Sequence, residues 1–172
     1  GFKRFSLMGN IYLTKYSADG STDISFGTNG SILTPLTTES GSAHIMKIQA
    51  DGKILVTGSK SNSHIIDFFD YYTTRYNANG SVDTAFGNNG VIVTDILATG
   101  DFVKAIGVQS DGKIIIAGYT YSNTTTSKKA HACLVRYLND GAIDTTFGTN
   151  GHVLLPSLAT DSNDYVSDMK IL

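Results

Sequence analysis

The chain has 172 residues, of which 41% are hydrophobic and 16% are charged, and its formal net charge is −2. This length suits one ordinary domain with a real core, and the low charge excludes a basic field for nucleic acid. Of the 15 acidic residues only Glu39 is a glutamate, and there are 18 glycines and 9 tyrosines. Glutamate favours helices whereas aspartate and glycine favour turns, so the composition predicts an all-β fold.

No apolar run approaches the roughly 20 residues that cross a bilayer, so we predict no membrane insertion. The sequence opens with Gly1 and shows no basic segment followed by an apolar one, so no signal peptide is predicted. We therefore expect a mature, trimmed or excised piece of a longer protein.

Two sequence blocks recur along the chain with one period. Residues 15–30 return at 75–90 and again at 136–151, with the same tyrosine, turn glycine, Phe-Gly pair and final glycine. Residues 48–58 lie between these copies and return at 108–118. Both blocks keep a period of about 60 residues, which indicates a repeated structural unit.

In chain order, a strand is predicted over 2–9, and a tight hairpin at Gly9-Asn10 leads into a strand over 11–16. The second period predicts four short strands, over 91–96, 103–109, 113–119 and 132–138. The three isoleucines that begin at Ile114 form a continuous apolar run, which predicts burial on both faces of that strand. Ser110-Asp111-Gly112 is a hairpin turn signal. Four antiparallel strands at a long fixed period are typical of a propeller blade.

We therefore predict an all-β, β-propeller-type segment over 1–172, built from three four-stranded repeats of about 60 residues. The repeat units are expected near 1–52, 53–112 and 113–172. Residues 169–172 align with 46–49, so one blade is expected to be split between the termini, with its last two strands first and its first two strands last.

Three blades leave bare edges, because closed propellers have about 4 to 8 blades. We therefore expect a homo-oligomer, with a dimer of six blades favoured over a trimer. The remaining repeats of a longer parent chain are the alternative way to complete the ring.

The two blocks together resemble a known repeat. The run Arg-Tyr-x-x-x-Gly-x-x-Asp-x-x-Phe-Gly-x-x-Gly and the run Gln-x-Asp-Gly-Lys-Ile resemble the delta-60 repeat, a bacterial β-propeller repeat, over essentially the whole chain. Lys15 departs from the pattern where the other copies have Arg75 and Arg136, and Asn79 departs where they have Asp19 and Asp140. The resemblance implies a module of large exported bacterial proteins and supplies no catalytic residue.

From this resemblance we expect a non-enzymatic binding and assembly module, extracellular or at the cell surface, whose propeller scaffold presents variable loops. A carbohydrate-binding, lectin-like module that uses the aromatic loop 64–72 is the alternative, and a hydrolase is a weaker one. The expected partner beyond the chain itself is a glycan or a surface protein, and nucleic acid is not expected.

The parts that do not repeat are where a ligand site is expected. Residues 59–72 and 119–130 join the third and fourth strands and differ from each other. The expected ligand-binding residues are His64, Phe68, Phe69, Tyr71, Tyr119 and Tyr121. Exposed aromatic side chains suit carbohydrate stacking or a protein contact, whereas buried ones simply begin the fourth strand.

No catalytic residue, metal or cofactor is predicted, because the four histidines have no metal-ligand spacing and no nucleophile elbow is present. The Asp-Gly turns offer two or three oxygens where calcium needs six or more, and the capping of backbone amides by Asp23, Asp83 and Asp144 explains their spacing. Calcium binding by these turns is left open. The single Cys133 stands in an apolar run and predicts a buried free thiol.

Three basic residues, Lys15, Arg75 and Arg136, precede the repeat tyrosines. We expect each to pair with an aspartate of the neighbouring blade, such as Asp23 or Asp83, in preference to forming a basic ring on one face. The expected core between blades consists of Tyr16, Tyr76, Tyr137, Phe26, Phe86 and Phe147.

Overall fold

A computed structural model describes residues 2–7, 10–35, 41–61, 69–97, 100–122, 129–156 and 163–171. Within these ranges the chain forms eleven strands and no helix, which confirms the all-β prediction. A helix that could span a membrane is not found in them.

The strands form three sheets whose neighbouring strands are antiparallel and follow chain order. The first sheet holds β1 (Phe2–Leu7), β2 (Asn10–Lys15) and β3 (Ser31–Pro35). The second sheet holds β4 (Gly41–Ile48), β5 (Ile54–Ser61), β6 (Phe69–Tyr76) and β7 (Val91–Thr94). The third sheet holds β8 (Asp101–Val108), β9 (Ile114–Tyr121), β10 (Ala130–Tyr137) and β11 (His152–Leu154).

The strand predicted over 91–96 belongs to a different sheet from the one expected. It forms β7, which pairs with β6 and so closes the second sheet instead of opening the third. The cause is the preceding turn, in which Asn89 (φ 51°) and Gly90 (φ 92°) take left-handed conformations that reverse the chain beside β6. The backbone N–H of Arg75 then donates to the Gly90 carbonyl at 3.0 Å. The expected grouping of strands is therefore wrong by one strand.

The other predicted strands of the second period correspond to β8, β9 and β10 within a few residues. Ile114 and Ile116 are fully buried and Ile115 nearly so, which confirms the prediction of burial on both faces. The predicted turn is also confirmed, since the N–H of Gly112 donates to the Gln109 carbonyl at 3.0 Å.

The first sheet has only three described strands, and β1 is its edge. The split unit expected at the termini is not formed as predicted, because β11 pairs with β10 in the third sheet. Residues 163–171 form no strand in the part of the chain that the structure describes. They nevertheless lie against the third sheet, since a β-carbon at Gly107 would stand 2.5 Å from the Ile171 side chain.

The core lies between neighbouring sheets in two clusters. Leu55, Phe86, Ile116 and Val135 are among the residues buried between the second and third sheets. The other cluster fills the space between the first and second sheets. Because each sheet buries a face against its neighbour, the three sheets stack side by side in chain order.

The repeat tyrosines tie each sheet to the one before it. The Tyr76 hydroxyl donates to Thr34 Oγ1 at 2.7 Å, and the Tyr137 hydroxyl lies 2.6 Å from Thr94 Oγ1. The core prediction is confirmed for Tyr76, Tyr137, Phe26 and Phe86, whose side chains are almost fully buried. Tyr16 and Phe147 are only partly buried. The repeat tyrosine packs on the preceding sheet and the repeat phenylalanine on the following turn, and among the described residues Tyr16 has no preceding sheet and Phe147 no following turn of this kind.

A second contact, which we call the turn clasp, joins consecutive repeats. The Gly27 N–H donates to the Asn79 carbonyl at 2.8 Å, and one repeat later the Gly87 N–H donates to the Asp140 carbonyl at 2.7 Å. The glycine after each acceptor lies on the phenylalanine ring that precedes each donor. Each clasp thus docks the Asx-Gly turn of one repeat on the Phe-Gly turn of the repeat before it.

Candidate functional site

Five aromatic side chains and a lysine gather at one end of the second and third sheets. This aromatic patch consists of Phe69, Phe102, Lys104, Tyr119, Tyr121 and Tyr165. The side chain of Tyr165 is 54% exposed and the other four rings are partly exposed. The patch is therefore a surface that solvent or a ligand can reach, and not part of the closed core.

Strand pairing positions the centre of the patch. Phe102 on β8 and Tyr119 on β9 are direct cross-strand partners, and their rings stack with centroids 5.1 Å apart. Tyr121 lies two residues further along β9, on the same face. Phe69 approaches from β6 with its ring centroid 5.4 Å from that of Phe102, and Tyr165 meets Tyr119 edge-on at 4.8 Å. Such offset and edge-to-face pairs each contribute about 0.5–1.5 kcal/mol beyond area burial, so the rings support one another.

The patch combines flat apolar faces with polar groups. The Lys104 ammonium lies 5.5 Å from the Tyr119 ring centroid, within the range of a cation–π interaction. Burial, with neighbouring Tyr121 and Tyr165, raises the pKa of Tyr119 above its ordinary value, so its hydroxyl stays neutral near pH 7. Exposed aromatic rings can stack on a sugar ring, and the neutral hydroxyls beside them can form hydrogen bonds with the hydroxyls of the sugar.

Of the six residues expected to bind a ligand, three lie in this patch: Phe69, Tyr119 and Tyr121. His64 and Phe68 lie outside the described residues.

Tyr71 was expected in the same site, but it is a core residue. Its side chain is 1% exposed, and its hydroxyl lies 3.1 Å from Cys133 Sγ of the third sheet. Tyr71 shares a strand face with Phe69 but lies two residues deeper, where Gly118 leaves room for the hydroxyl. Cys133 is a buried free thiol, as predicted.

Sequence reasoning missed Phe102, Lys104 and Tyr165, because it looked for a site in loops whereas these residues lie on or beside strands. A comparison between repeats would have found the signal. The positions of Phe102, Tyr119 and Tyr121 hold Ser42, Ser59 and Ser61 one repeat earlier. Aromatic residues at three positions that hold serine one repeat earlier mark this end of the third sheet as different from that of the second.

The basic residues beside the repeat tyrosines form ion pairs within their own repeats. Arg75 Nε lies 2.7 Å from Asp83 Oδ2, and the corresponding Lys15 and Arg136 pair with Asp23 and Asp144. The expectation of a partner aspartate in the neighbouring blade is therefore wrong, because the chain folds back within eight residues of Arg75. Arg75 does reach the next repeat by a different bond, from Nη1 to the Asn139 carbonyl.

The aspartates of the repeat turns cap backbone amides, as predicted. Asp23 Oδ1 accepts from the Ser25 N–H at 3.1 Å, and Asp83 and Asp144 accept from the corresponding amides. Asp19 is likewise engaged by the Ser21 N–H at 2.9 Å. In the structure these carboxylates stabilise the turns by accepting hydrogen bonds from backbone amides.

A different group of acids was not foreseen. Asp70, Asp95 and Asp101 each place a carboxylate oxygen within 4.8 Å of the other two. Asp70 is the second residue of β6, Asp95 follows β7 and Asp101 begins β8. The group therefore lies where the chain passes from the second sheet to the third. Among the described residues this is a group of acids able to hold a metal ion, and we call it the aspartate cluster.

A family model described as "Domain of unknown function (DUF5122) beta-propeller" matches residues 49–86 and 109–147. No curated protein matches the chain. The matched segments begin and end at the glutamine and phenylalanine of the two recurring blocks, so the resemblance to a propeller repeat is confirmed. These two segments of the chain are therefore similar to the repeats of a β-propeller family.

Proposed function

We propose that the chain is a non-enzymatic binding and assembly module of an exported or cell-surface protein, and that its copies join end to end through the contacts that already join its own repeats. The observation that carries this proposal is the turn clasp, which occurs twice within the chain and leaves one unmatched half at each end.

The two internal clasps define the contact. In each, a Phe-Gly turn is covered by the Asx-Gly turn of the following repeat, and the phenylalanines, Phe26 and Phe86, are fully buried. A β-carbon at Gly80 or Gly141 would stand only 3.1 or 2.9 Å from the covered ring. The fit is therefore close enough to specify which turn docks on which.

The unmatched halves are the first Asx-Gly turn and the last Phe-Gly turn. Gly20 has nothing within 4 Å of the position of a β-carbon, unlike Gly80 and Gly141. Phe147 is the one repeat phenylalanine of the three that stays partly exposed. These surfaces are complementary, since the chain joins the same two kinds of turn twice, so the first turn of one copy fits the last turn of another.

Residues 163–171 supply a second complementary feature. Asp164-Tyr165-Val166 repeats Asp101-Phe102-Val103, the start of β8, which is the first strand of the third sheet in chain order and lies at its edge. The segment lies on the third sheet, with the Asp164 N–H donating to the Ala130 carbonyl at 2.9 Å. It therefore has the sequence of the first strand of a sheet, and it lies beside the third sheet. We propose that it pairs with the bare edge of β1 in another copy and gives that sheet its fourth strand.

In this arrangement each copy contributes three four-stranded sheets. The first sheet of a copy receives its fourth strand from the neighbouring copy. Two copies then form a ring of six sheets, which lies within the range of about 4 to 8 blades for closed propellers. A ring from three copies would exceed that range. The interface is heterologous, so closure of the ring is what prevents open-ended growth.

Light scattering on the purified full chain across a range of concentrations tests the proposal. We expect about twice the mass of one chain. We expect Phe147→Asp to yield monomers with unchanged secondary structure, because the clasp would have to bury a carboxylate in place of an apolar ring. Ile24→Asp is the matched control, since Ile24 is 77% exposed and lies outside the clasp surfaces. A wild-type chain that stays monomeric at tens of micromolar would overturn end-to-end assembly.

The aromatic patch favours a second function, the binding of carbohydrate. It offers ring faces, hydroxyls and an ammonium group at one end of the third sheet, which is the chemistry of a sugar-stacking surface. A glycan array followed by titration of the strongest ligand tests this function. Tyr121→Ser introduces the residue found one repeat earlier, and it should reduce binding at least tenfold, whereas Ile24→Ser should leave binding unchanged. An array without any reproducible ligand would contradict the carbohydrate function.

A further inference from the structure

The aspartate cluster is not a product of the repeat. One repeat earlier, the positions of Asp70, Asp95 and Asp101 hold Asn10, Pro35 and Gly41. One repeat later they hold His131, Pro156 and Asp164. Three carboxylates therefore meet at a single junction between sheets, where the scaffold itself does not require them. A feature that a repeat protein adds at one junction calls for a separate explanation.

The burial of Asp101 costs folding free energy when no cation is bound to the cluster. Its side chain is completely buried. The carboxyl has hydrogen bonds with the Thr120 side chain and with the Ile96 N–H, which donates to Oδ2 at 2.8 Å, but Oδ1 has no hydrogen-bond partner among the described residues. Asp70 is also buried, with 6% of its surface exposed. An unsatisfied carboxylate oxygen beside two other carboxylates loses both hydration and electrostatic stability.

From the convergence of the three carboxylates and the unpartnered Asp101 oxygen, we infer that Asp70, Asp95 and Asp101 form a binding site for a divalent cation of the calcium class. The ion would supply the missing partner of Asp101 Oδ1 and would bind the second sheet to the third.

The dimensions agree with calcium coordination. Calcium binds oxygen at about 2.3–2.6 Å, so two ligands on opposite sides of one ion stand about 4.6–5.2 Å apart. The three carboxylate oxygens lie within 4.8 Å of one another, so all of them can contact one ion. Asp95 is exposed, so this side of the site is open to the water molecules that would fill the remaining positions. All ligand atoms are oxygens, which suits a hard cation and not zinc or copper.

Calcium titration of the full chain, after treatment with a chelator and its removal, tests the inference. We expect one calcium ion to bind per chain, with a dissociation constant of about 10⁻⁴–10⁻³ M or below, as in extracellular calcium modules. We also expect calcium chloride at 5 mM to raise the melting temperature by several degrees, because only the folded chain presents the site. Magnesium chloride at the same concentration should have a smaller effect, since magnesium demands stricter octahedral geometry.

Asp95→Asn is the decisive variant, because Asp95 is exposed and its loss leaves the buried side chains in place. It should weaken calcium binding at least tenfold and remove the rise in melting temperature. Asp101→Asn is the second variant and should do the same if it folds. Asp19→Asn is the matched control: Asp19 belongs to an Asp-Gly turn of the repeat, and its replacement should leave calcium binding unchanged.

The inference is overturned if the wild-type chain shows neither heat of binding nor thermal stabilisation with calcium. It is equally overturned if Asp95→Asn binds calcium as the wild type does, or if Asp19→Asn, and not Asp95→Asn, loses binding, which would place calcium in the repeat turns.

Discussion

Gly141 of the third repeat lies so close to Phe86 of the second that a β-carbon added to it would stand 2.9 Å from the phenylalanine ring. The same glycine has φ of +89°, where a side chain is disfavoured. Two separate demands therefore fix this residue: the left-handed backbone of the turn and the close approach of two repeats.

The two demands on Gly141 can be separated by a matched pair of variants. Gly52 has a similar φ of +82°, but the nearest atom to its added β-carbon is at 3.4 Å, an ordinary contact. Gly141→Ala should therefore lower the free energy of unfolding by about 1–3 kcal/mol more than Gly52→Ala does, because only the former forces atoms together. Urea unfolding of both variants measures the difference. Equal losses would mean that the turn alone, and not the clasp, requires glycine.

The repeat made much of this fold predictable. Strand positions followed from the recurring blocks, and the burial of Ile114–Ile116 followed from an unbroken apolar run. The one-strand error in grouping arose because the chain says where β7 lies but not which neighbour it pairs with. That choice depends on the turn at Asn89 and Gly90, whose left-handed residues return the chain to β6.

The candidate sites were less predictable, for a physical reason. Tyr71 and Phe69 look alike in the sequence, and only the depth of each along β6 decides that one is core and the other lies in the aromatic patch. The aspartate cluster joins residues from three different elements, so no local motif announces it. Position-by-position comparison with the repeat before would have shown both features, since Phe102, Tyr119, Tyr121 and the three aspartates all differ from the residues found there.

Acid should weaken the repeats through their ion pairs. The hydrogen bond from Lys15, supported by Ser25, lowers the pKa of Asp23 to about 2, and Thr146 and Lys113 help to lower that of Asp144 to about 2. A carboxyl with a lowered pKa stabilises the fold above its unfolded pKa of about 4, and this contribution is lost as the pH falls toward 2. We therefore expect the free energy of unfolding to decline between about pH 4 and pH 2 because of these groups.

Lys15→Met tests the assignment of this effect to a particular pair. Removal of the ammonium should move the pKa of Asp23 upward, toward that of an ordinary aspartate, and carboxyl carbon shifts in NMR spectra recorded against pH measure the change. Lys47→Met, at an exposed position of β4, is the control and should leave Asp23 unchanged. If the pKa of Asp23 stays near 2 in Lys15→Met, the turn amides and not the ion pair hold it down.

The Cys133 thiol should not react with thiol reagents in the folded chain. Burial raises the pKa of its thiol to about 12, although the hydrogen bond with Tyr71 acts in the opposite direction. At pH 8 the folded protein therefore contains very little thiolate, and the thiol has no exposed surface for a reagent to approach. Ellman's reagent should react with the unfolded chain within minutes but with the folded chain only at the rate of unfolding. Rapid reaction under native conditions would show that the junction between the second and third sheets opens readily.

The aromatic patch should contribute less to stability than the core phenylalanines. Phe102→Ser introduces the residue found at Ser42 one repeat earlier and removes a ring that is only partly buried. Phe86→Ser removes a fully buried ring from the core between the second and third sheets. Truncation of a buried phenylalanine costs about 3–5 kcal/mol, so we expect Phe102→Ser to cost less than half of the loss for Phe86→Ser. Urea unfolding of both variants at one protein concentration measures the two losses. If Phe102→Ser proves as costly as Phe86→Ser, the patch is a structural contact, and its role as a sugar-binding surface is lost.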